Sequence, residues 1–238
     1  MQNNINYLNY FYKKLLELYD ECLFEIKAIR ERDPAARNNT EVALLYSGFH
    51  AVMAYRAAHT LYKAGYFFTA RCISQTARLL TGIEIHPGAE IGQGLFIDHG
   101  SGVVIGETTK IGNNCTIYQG ATLGGTGKQA GKRHPTLGNN IMVGAGAKIL
   151  GPIKIGDNSK IAAGAVVLAH IPENSTAVGI PARVVRHNNR RVEHFDLDQL
   201  HVPDPVSQEL CELRYKLEQL EKKINLKIEN IEKTESEK

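Results

Sequence analysis

Ile97-Asp98-His99 sets an acid and an imidazole side by side directly after an aliphatic residue. If Ile97 points inward, at least one of the two polar side chains projects outward. Histidine ordinarily titrates near neutral pH, which makes it the commonest general base. Glu84 lies fifteen residues earlier. A carboxylate there can hold the imidazole in one tautomer, as the acid of a catalytic dyad does. Arg133-His134 offers a clamp for a carboxylate, and Asp33 stands just before Pro34 at a helix break. An isolated Asp-His pair is most often simply solvated. The convergence of these other residues singles this one out.

The elements that must position them follow from a period of six. An aliphatic residue recurs at Ile85, Ile91, Ile97 and Val103, then at Ile105, Ile111, Ile117 and Leu123. It returns at Leu137, Val143, Ile149, Ile155, Ile161 and Val167. Such a period fits neither a helix nor a simple strand. It predicts a parallel β-helix of hexapeptides, three short faces making one triangular coil. Small residues (Ala89, Ser101, Cys115, Ala121, Ala147, Ser159, Ala165) let the corners turn tightly. The frame slips by two between Val103 and Ile105, an irregularity the coil can absorb. Between Leu123 and Leu137 it slips by two hexads and two residues. The intervening Gly-rich, basic segment, residues 124–136, should leave the prism as an excursion loop.

Residues 1–82 read as a helical domain capping the prism. Ile5, Leu8, Tyr12, Leu15, Tyr19, Leu23 and Ile26 form one apolar stripe that ends near Arg32. Thr40 should cap a second helix running through Leu44, Phe49, Met53 and Leu61 to Gly65. A third spans roughly Phe67 to Leu80. The β-helix is assigned to residues 83–186 and a tail to 187–238, where Leu210, Leu213, Leu217, Leu220, Ile224 and Ile231 fall on heptad positions interrupted by Lys227. The fold class is therefore α+β: helices, a left-handed parallel β-helix, then an amphipathic helix.

Composition excludes several classes of function. With 238 residues, 43% hydrophobic and 22% charged, the chain suits a globular protein. A net charge of +3 gives no argument for nucleic acid or a membrane surface. Cys22, Cys72, Cys115 and Cys211 form no CxxC pair, which suggests reduced thiols in the cytoplasm and no metal site. The N-terminus lacks the features of a signal peptide, and no apolar run is long enough to span a membrane.

TGIEIHPGAEIGQGLFIDHGSGVVIGE, YQGATLGGTGKQAGKRHP and VGIPARVV closely resemble the serine acetyltransferases of bacteria and plants, and the likeness extends upstream through RDPAARN and LLYSGFHAVMAYRAAHTLYKAG. It covers roughly residues 25–186 and implies acetyl transfer from acetyl-CoA to L-serine, the first step of cysteine synthesis. By that resemblance His99 is the general base and Glu84 the carboxylate that orients it, in a place where many members carry Asp. Asp33 and Asp98 hold the serine amino group, while Arg133, with His134 beside it, holds its carboxylate. Gly125 supplies an oxyanion-donating amide. Ala145, Lys160 and Ala163 match the coenzyme A groove, where small residues let a pantetheine arm lie flat and Lys160 can meet a phosphate.

Acyl transfer of this kind needs no metal, and the chain has no G-x-S-x-G elbow. Cys115 at a corner reads as structural, so direct attack in a ternary complex is expected. Only 32 residues precede Asp33, which predicts a trimer with sites between neighbours instead of the hexamer of longer members. L-cysteine, differing from serine by sulfur for oxygen, should compete as a feedback inhibitor. The chain ends on Lys238 where many members end on Ile, so insertion of the tail into cysteine synthase is not expected. A hexapeptide acyltransferase for sugars or xenobiotics has no need of Asp33, Asp98 and Arg133 together. A metal site like that of the γ-class carbonic anhydrases requires three converging histidines, and His86, His99 and His134 lack its spacing. A non-enzymatic scaffold leaves the Asp-His and Arg-His pairs unexplained.

Overall fold

The computed structural model describes residues 19–127, 130–188, 190–191, 213–217, 219 and 221. Three short faces repeat around a hollow filled by aliphatic side chains. Face A stacks β1 (Glu84–Ile85), β4 (Val104–Ile105), β7 (Thr122–Gly124), β10 (Lys148–Leu150) and β13 (Val166–Val167) in parallel. Face B stacks β2 (Glu90–Ile91), β5 (Lys110–Ile111), β8 (Thr136–Leu137) and β11 (Lys154–Ile155). Face C stacks β3 (Phe96–Asp98), β6 (Thr116–Tyr118), β9 (Met142–Val143), β12 (Lys160–Ile161) and β14 (Ser175–Gly179), then adds the antiparallel β15 (Ala182–His187) and β16 (Arg190–Arg191). This is the left-handed β-helix that the hexad period predicts.

All fourteen frame positions are buried, none more than 9% exposed. The residues two before the strand-end aliphatics form a second inward layer: Ile83, Ala89, Leu95, Val103, Cys115, Ala121, Ile141, Ala147, Ile153, Ser159 and Ala165. Ser101 is a correction. It is exposed, because Val103 fills the inward place at a corner lengthened by two residues.

Helices cover the open end of the first coil, whose carbonyls have no coil beneath them. A helix at residues 19–30 (α1) is followed by α2 (Asn39–Leu45), α3 (Ser47–Lys63) and α4 (Phe67–Thr81). Side chains from the helices and from the turn after α1 satisfy those carbonyls. Ser74 Oγ donates to Ile85 O at 2.7 Å, Tyr55 Oη to Ala89 O at 2.6 Å, Arg56 to Ile91 O at 2.6 Å and Arg32 to Gly94 O at 2.6 Å. Glu25, 3% exposed, pairs with Arg56 at 3.0 Å and ties α1 to α3. Polar capping of this kind ends a solenoid without leaving an exposed strand edge.

The helices differ from the sequence expectation at two points. The cap of α2 is Asn38, whose side chain accepts from Glu41 N at 2.9 Å, and not Thr40. The expected single helix to Gly65 is broken at Tyr46, where ψ is 107°. The break lets α3 restart with Gly48 pressed on β3: a Cβ at Gly48 would lie 2.1 Å from Ile97 O. Tyr19 and Leu23 are exposed, so the α1 stripe is buried only from Glu25 onward. Ile5, Leu8, Tyr12 and Leu15 lie outside the described residues, as do Leu210, Leu220, Ile224, Lys227 and Ile231. Of the tail, the described residues 213–217 are helical.

Candidate active site

The two-residue slip of the hexad frame is the turn that presents His99. Ile97 and Ile105 are eight residues apart where other coils use six, and the extra length falls in His99-Gly100-Ser101-Gly102 at the corner from face C to face A. The backbone there is left-handed at His99 (φ 58°), Gly100 (φ 73°) and Gly102 (φ 75°). Every other described non-glycine residue with positive φ is an asparagine. Asparagine tolerates that region through local hydrogen bonds, whereas a histidine there carries strain of a kind that clusters at functional sites. The His99 side chain is 74% exposed, and its Nε2 lies 3.9 Å from Asp98 Oδ1.

The helical cap delivers a second acid to this corner. Asp33 Oδ1 accepts from Ala35 N at 2.8 Å, and Oδ2 accepts from Tyr46 Oη at 2.6 Å. The Tyr46 phenol is pushed up to about 12, first by that hydrogen bond, then by burial and by the charges of Asp33, Glu41 and Asp98. Asp33, Tyr46 and Asp98 therefore share one neighbourhood. Glu84 lies on the same edge, where Glu84 N donates to Val103 O and Gly102 N to Gly82 O, each at 2.9 Å. Its carboxylate is 3.4 Å from Arg78 Nη1 on α4, and no hydrogen bond joins it to His99 in the isolated chain.

Arg133 and His134 sit at the next corner, from face A to face B. The excursion loop folds back onto Thr108, whose Oγ1 accepts from Arg133 N and His134 N, both at 3.1 Å. Lys132 Nζ donates to Thr108 O at 2.6 Å. Arg133 pairs with Glu107, which also accepts from Tyr62 Oη at 3.4 Å. The Arg133 hydrogen bond holds the Glu107 carboxyl below its usual range. His134 is 8% exposed, and burial, with the Arg133 and Lys132 charges, lowers its pKa. Thr108 N donates to His134 Nδ1 at 3.2 Å. In a neutral ring the proton is then on Nε2, which makes that atom a donor. Gly106 leaves room for the ring: a Cβ there would lie 2.0 Å from His134 Cδ2. Gly125 adjoins both residues, its ideal Cβ position 3.2 Å from Arg133 Cγ and from His134 Nε2.

Beyond His99 the C-to-A corner continues as a column of small residues. Gly120 N donates to Ser101 O, Gly146 N to Gln119 O and Gly164 N to Ala145 O, each at 2.8 Å. Ala145 and Ala163 occupy this corner on successive coils, and the space outside Gly146 and Gly164 is open. Lys160 is exposed on face C and in register with Thr176, which in turn pairs with Arg186. These three line one cavity with Asn158, Asn174 and Asn188 and no carboxylate.

A family profile described as "Serine acetyltransferase, N-terminal" matches residues 5–54, and one described as "Bacterial transferase hexapeptide (six repeats)" matches residues 134–169. A serine acetyltransferase of Bacillus subtilis is 53% identical over 210 residues, covering 85% of this chain and 96% of that one. The chain belongs to the serine acetyltransferase family. Among solved structures, soybean serine acetyltransferase complexed with serine is 46% identical with a TM-score of 0.69, covering 71% of this chain and 69% of that one. A serine acetyltransferase in complex with cysteine is 43% identical with a TM-score of 0.71, covering 74% and 73%.

Within this family member the expected site residues fall on two edges of one prism. Asp33, Glu84, Asp98 and His99 lie at the C-to-A corner, with Ala145 and Ala163 further along it. Gly125, Arg133 and His134 lie at the A-to-B corner, and the whole width of face A separates the two groups. Sequence reasoning missed Tyr46, Glu107 and Thr108. The only signal for the last two was their place in the turn directly after Ile105, one coil below the point where the loop departs. Cys115 is fully buried, with burial pushing its thiol up to about 11, as a structural residue requires. Among the described residues no group of three or more His, Cys, Asp or Glu side chains could hold a metal ion, and no helix is long and apolar enough to cross a membrane.

Proposed function

We propose that the chain transfers the acetyl group of acetyl-CoA to the hydroxyl of L-serine, giving O-acetylserine and CoA, by general-base catalysis in a ternary complex. The observation that carries this reading is His99, strained and exposed, beside Asp98 at the head of an open column of small residues, with Asp33 brought to the same corner through Tyr46. His99 takes the proton from serine Oγ as that oxygen attacks the thioester carbonyl, with Glu84 orienting the ring. The tetrahedral oxyanion is met by the Gly125 amide. Collapse breaks the carbon–sulfur bond, and the imidazolium returns its proton to the departing thiolate of CoA. Asp33 and Asp98 take the ammonium of the zwitterion. Arg133 and the Nε2–H of His134 take its carboxylate. The pantetheine arm runs past Ala145 and Ala163, and a coenzyme phosphate meets Lys160. No resident metal is required.

The separation of the two residue groups favours a trimer. Turning face A toward a threefold axis sets the His99 edge of one protomer against the Arg133 edge of the next. Beyond Glu84 on its first strand, the outward residues of face A favour burial: Val104, Thr122, Val166, and Lys148, whose ammonium is tied to Gly120 O and to Thr122 Oγ1 at 3.1 Å. Face B instead exposes Glu90, Lys110 and Lys154. L-cysteine would occupy the serine site and compete with it, as expected of a soluble, cytoplasmic biosynthetic enzyme under end-product control. The deciding experiment monitors free thiol from acetyl-CoA and L-serine. His99→Ala should lower turnover about a hundred- to ten-thousand-fold while acetyl-CoA still binds. Near-normal turnover would overturn the mechanism.

A further inference from the structure

We infer that Tyr46 is a positioning residue for serine binding, acting through Asp33; this rests on the proposed role of Asp33 at the substrate ammonium. Two carboxylates assigned to one ammonium repel each other before substrate arrives, and an unrestrained one turns away. Asp33 is restrained at both oxygens, by Ala35 N on Oδ1 and by Tyr46 Oη on Oδ2. Each oxygen keeps one acceptor direction free, so the carboxylate is aimed and still able to bind. Both donors are neutral, so the negative charge is kept for the ligand. A lysine or arginine in the place of Tyr46 would neutralise it.

The backbone is arranged around this contact. Tyr46 is the residue at which the helical run from Asn39 breaks, extended at φ −85° and ψ 107° between α2 and α3. Two residues later Gly48 is jammed against Ile97 O, the residue before Asp98. The break thus carries the phenol to Asp33 while its neighbour fixes the helix against the strand that holds the second acid. The ring packs at the edge of the small core of Ile26, Ile29, Val42, Phe49 and Phe96, so its direction is set by packing as well as by the hydroxyl.

The test compares Tyr46→Phe, Asp33→Asn and the double variant with wild type. Tyr46→Phe keeps the packed ring and removes one donor to a charged group. It should raise KM for serine, and Ki for cysteine in parallel, about tenfold, the range of a single charge-assisted hydrogen bond. Turnover at saturation and KM for acetyl-CoA should stay unchanged, the pattern of lost uniform binding. The double variant should match Asp33→Asn alone if Tyr46 reaches substrate through Asp33 and not through the neighbouring Asp98. Unchanged serine kinetics in Tyr46→Phe, beside an impaired Asp33→Asn, overturns this inference alone. Equal rises in both KM values, or additive effects in the double variant, point to a general structural role and also overturn it. If Asp33→Asn itself leaves KM for serine unchanged, the underlying reading of the ammonium site fails.

Discussion

Mixing two inactive variants should regenerate an active enzyme. His99 and Arg133 stand at opposite edges of face A in one chain, so a site that uses both must draw them from neighbouring protomers. Consider His99→Ala and Arg133→Ala, each retaining about a hundredth of wild-type activity or less. In an equal mixture of freely exchanging trimers, a given site has an even chance of an intact His99 edge and an even chance of an intact Arg133 edge on the next protomer. About one quarter of the sites are then whole, and activity should recover to about one quarter of wild type. A second mixture separates shared from private sites. With both substitutions on one chain, mixed equally with wild-type chains, shared sites again give about one quarter, whereas sites private to a chain give about one half. The assay is thiol release from the whole exchanged population of trimers, homotrimers included, after co-expression of the two chains in equal amounts. A first mixture that stays at the parental level refutes the shared site.

Cys115→Ala should retain turnover within about twofold and lose about 1–2 kcal/mol of stability, since a buried thiol donating to Gly138 O is lost; loss of all activity without unfolding would argue for an acetylated thiol. Gly48→Ala should destabilise the protein by about 1–3 kcal/mol, because the added methyl overlaps Ile97 O. Thermal melting checks this, and an unchanged midpoint would contradict the close packing. Both His86 and His134 have pKa values lowered chiefly by burial. Below about pH 6.5 the unfolded chain binds protons that the native rings resist, so stability should fall as pH drops, by up to about 1.4 kcal/mol per pH unit for each histidine, with no effect above that range. Melting between pH 5.5 and 7.5 should show a shallower slope in His134→Asn, which keeps an acceptor for Thr108 N.

The prism was legible because each coil repeats one backbone path, so Ile85 to Val167 carry the same demand at the same interval. The helical cap was legible in outline, since Asp33-Pro34 and Gly65 punctuate it. The break at Tyr46 was not, because it answers to a contact with Ile97 some fifty residues away and not to any local breaker. The slip before Ile105 was visible as a count, but nothing local distinguishes an absorbed irregularity from a left-handed histidine. Arg133 and His134 were found, yet their distance from His99 follows only once the strands are assigned to faces. Glu107 and Thr108 stayed hidden because their partners lie in a loop that has no period.

The column beyond His99 makes distance a matter of whole numbers. Each coil advances the chain by about 4.8 Å, so the rows of Gln119, Ala145 and Ala163 stand roughly 5, 10 and 14 Å from the row of His99 along the axis. The prism therefore works as a ruler laid beside the reacting atom, graduated in coils and stiffened by its packed interior. The reach of a long co-substrate is read against the number of coils, not against any one side chain. Lengthening or shortening that reach means adding or removing an entire coil, a change that keeps the aliphatic stack in register and leaves the chemistry at the far end untouched.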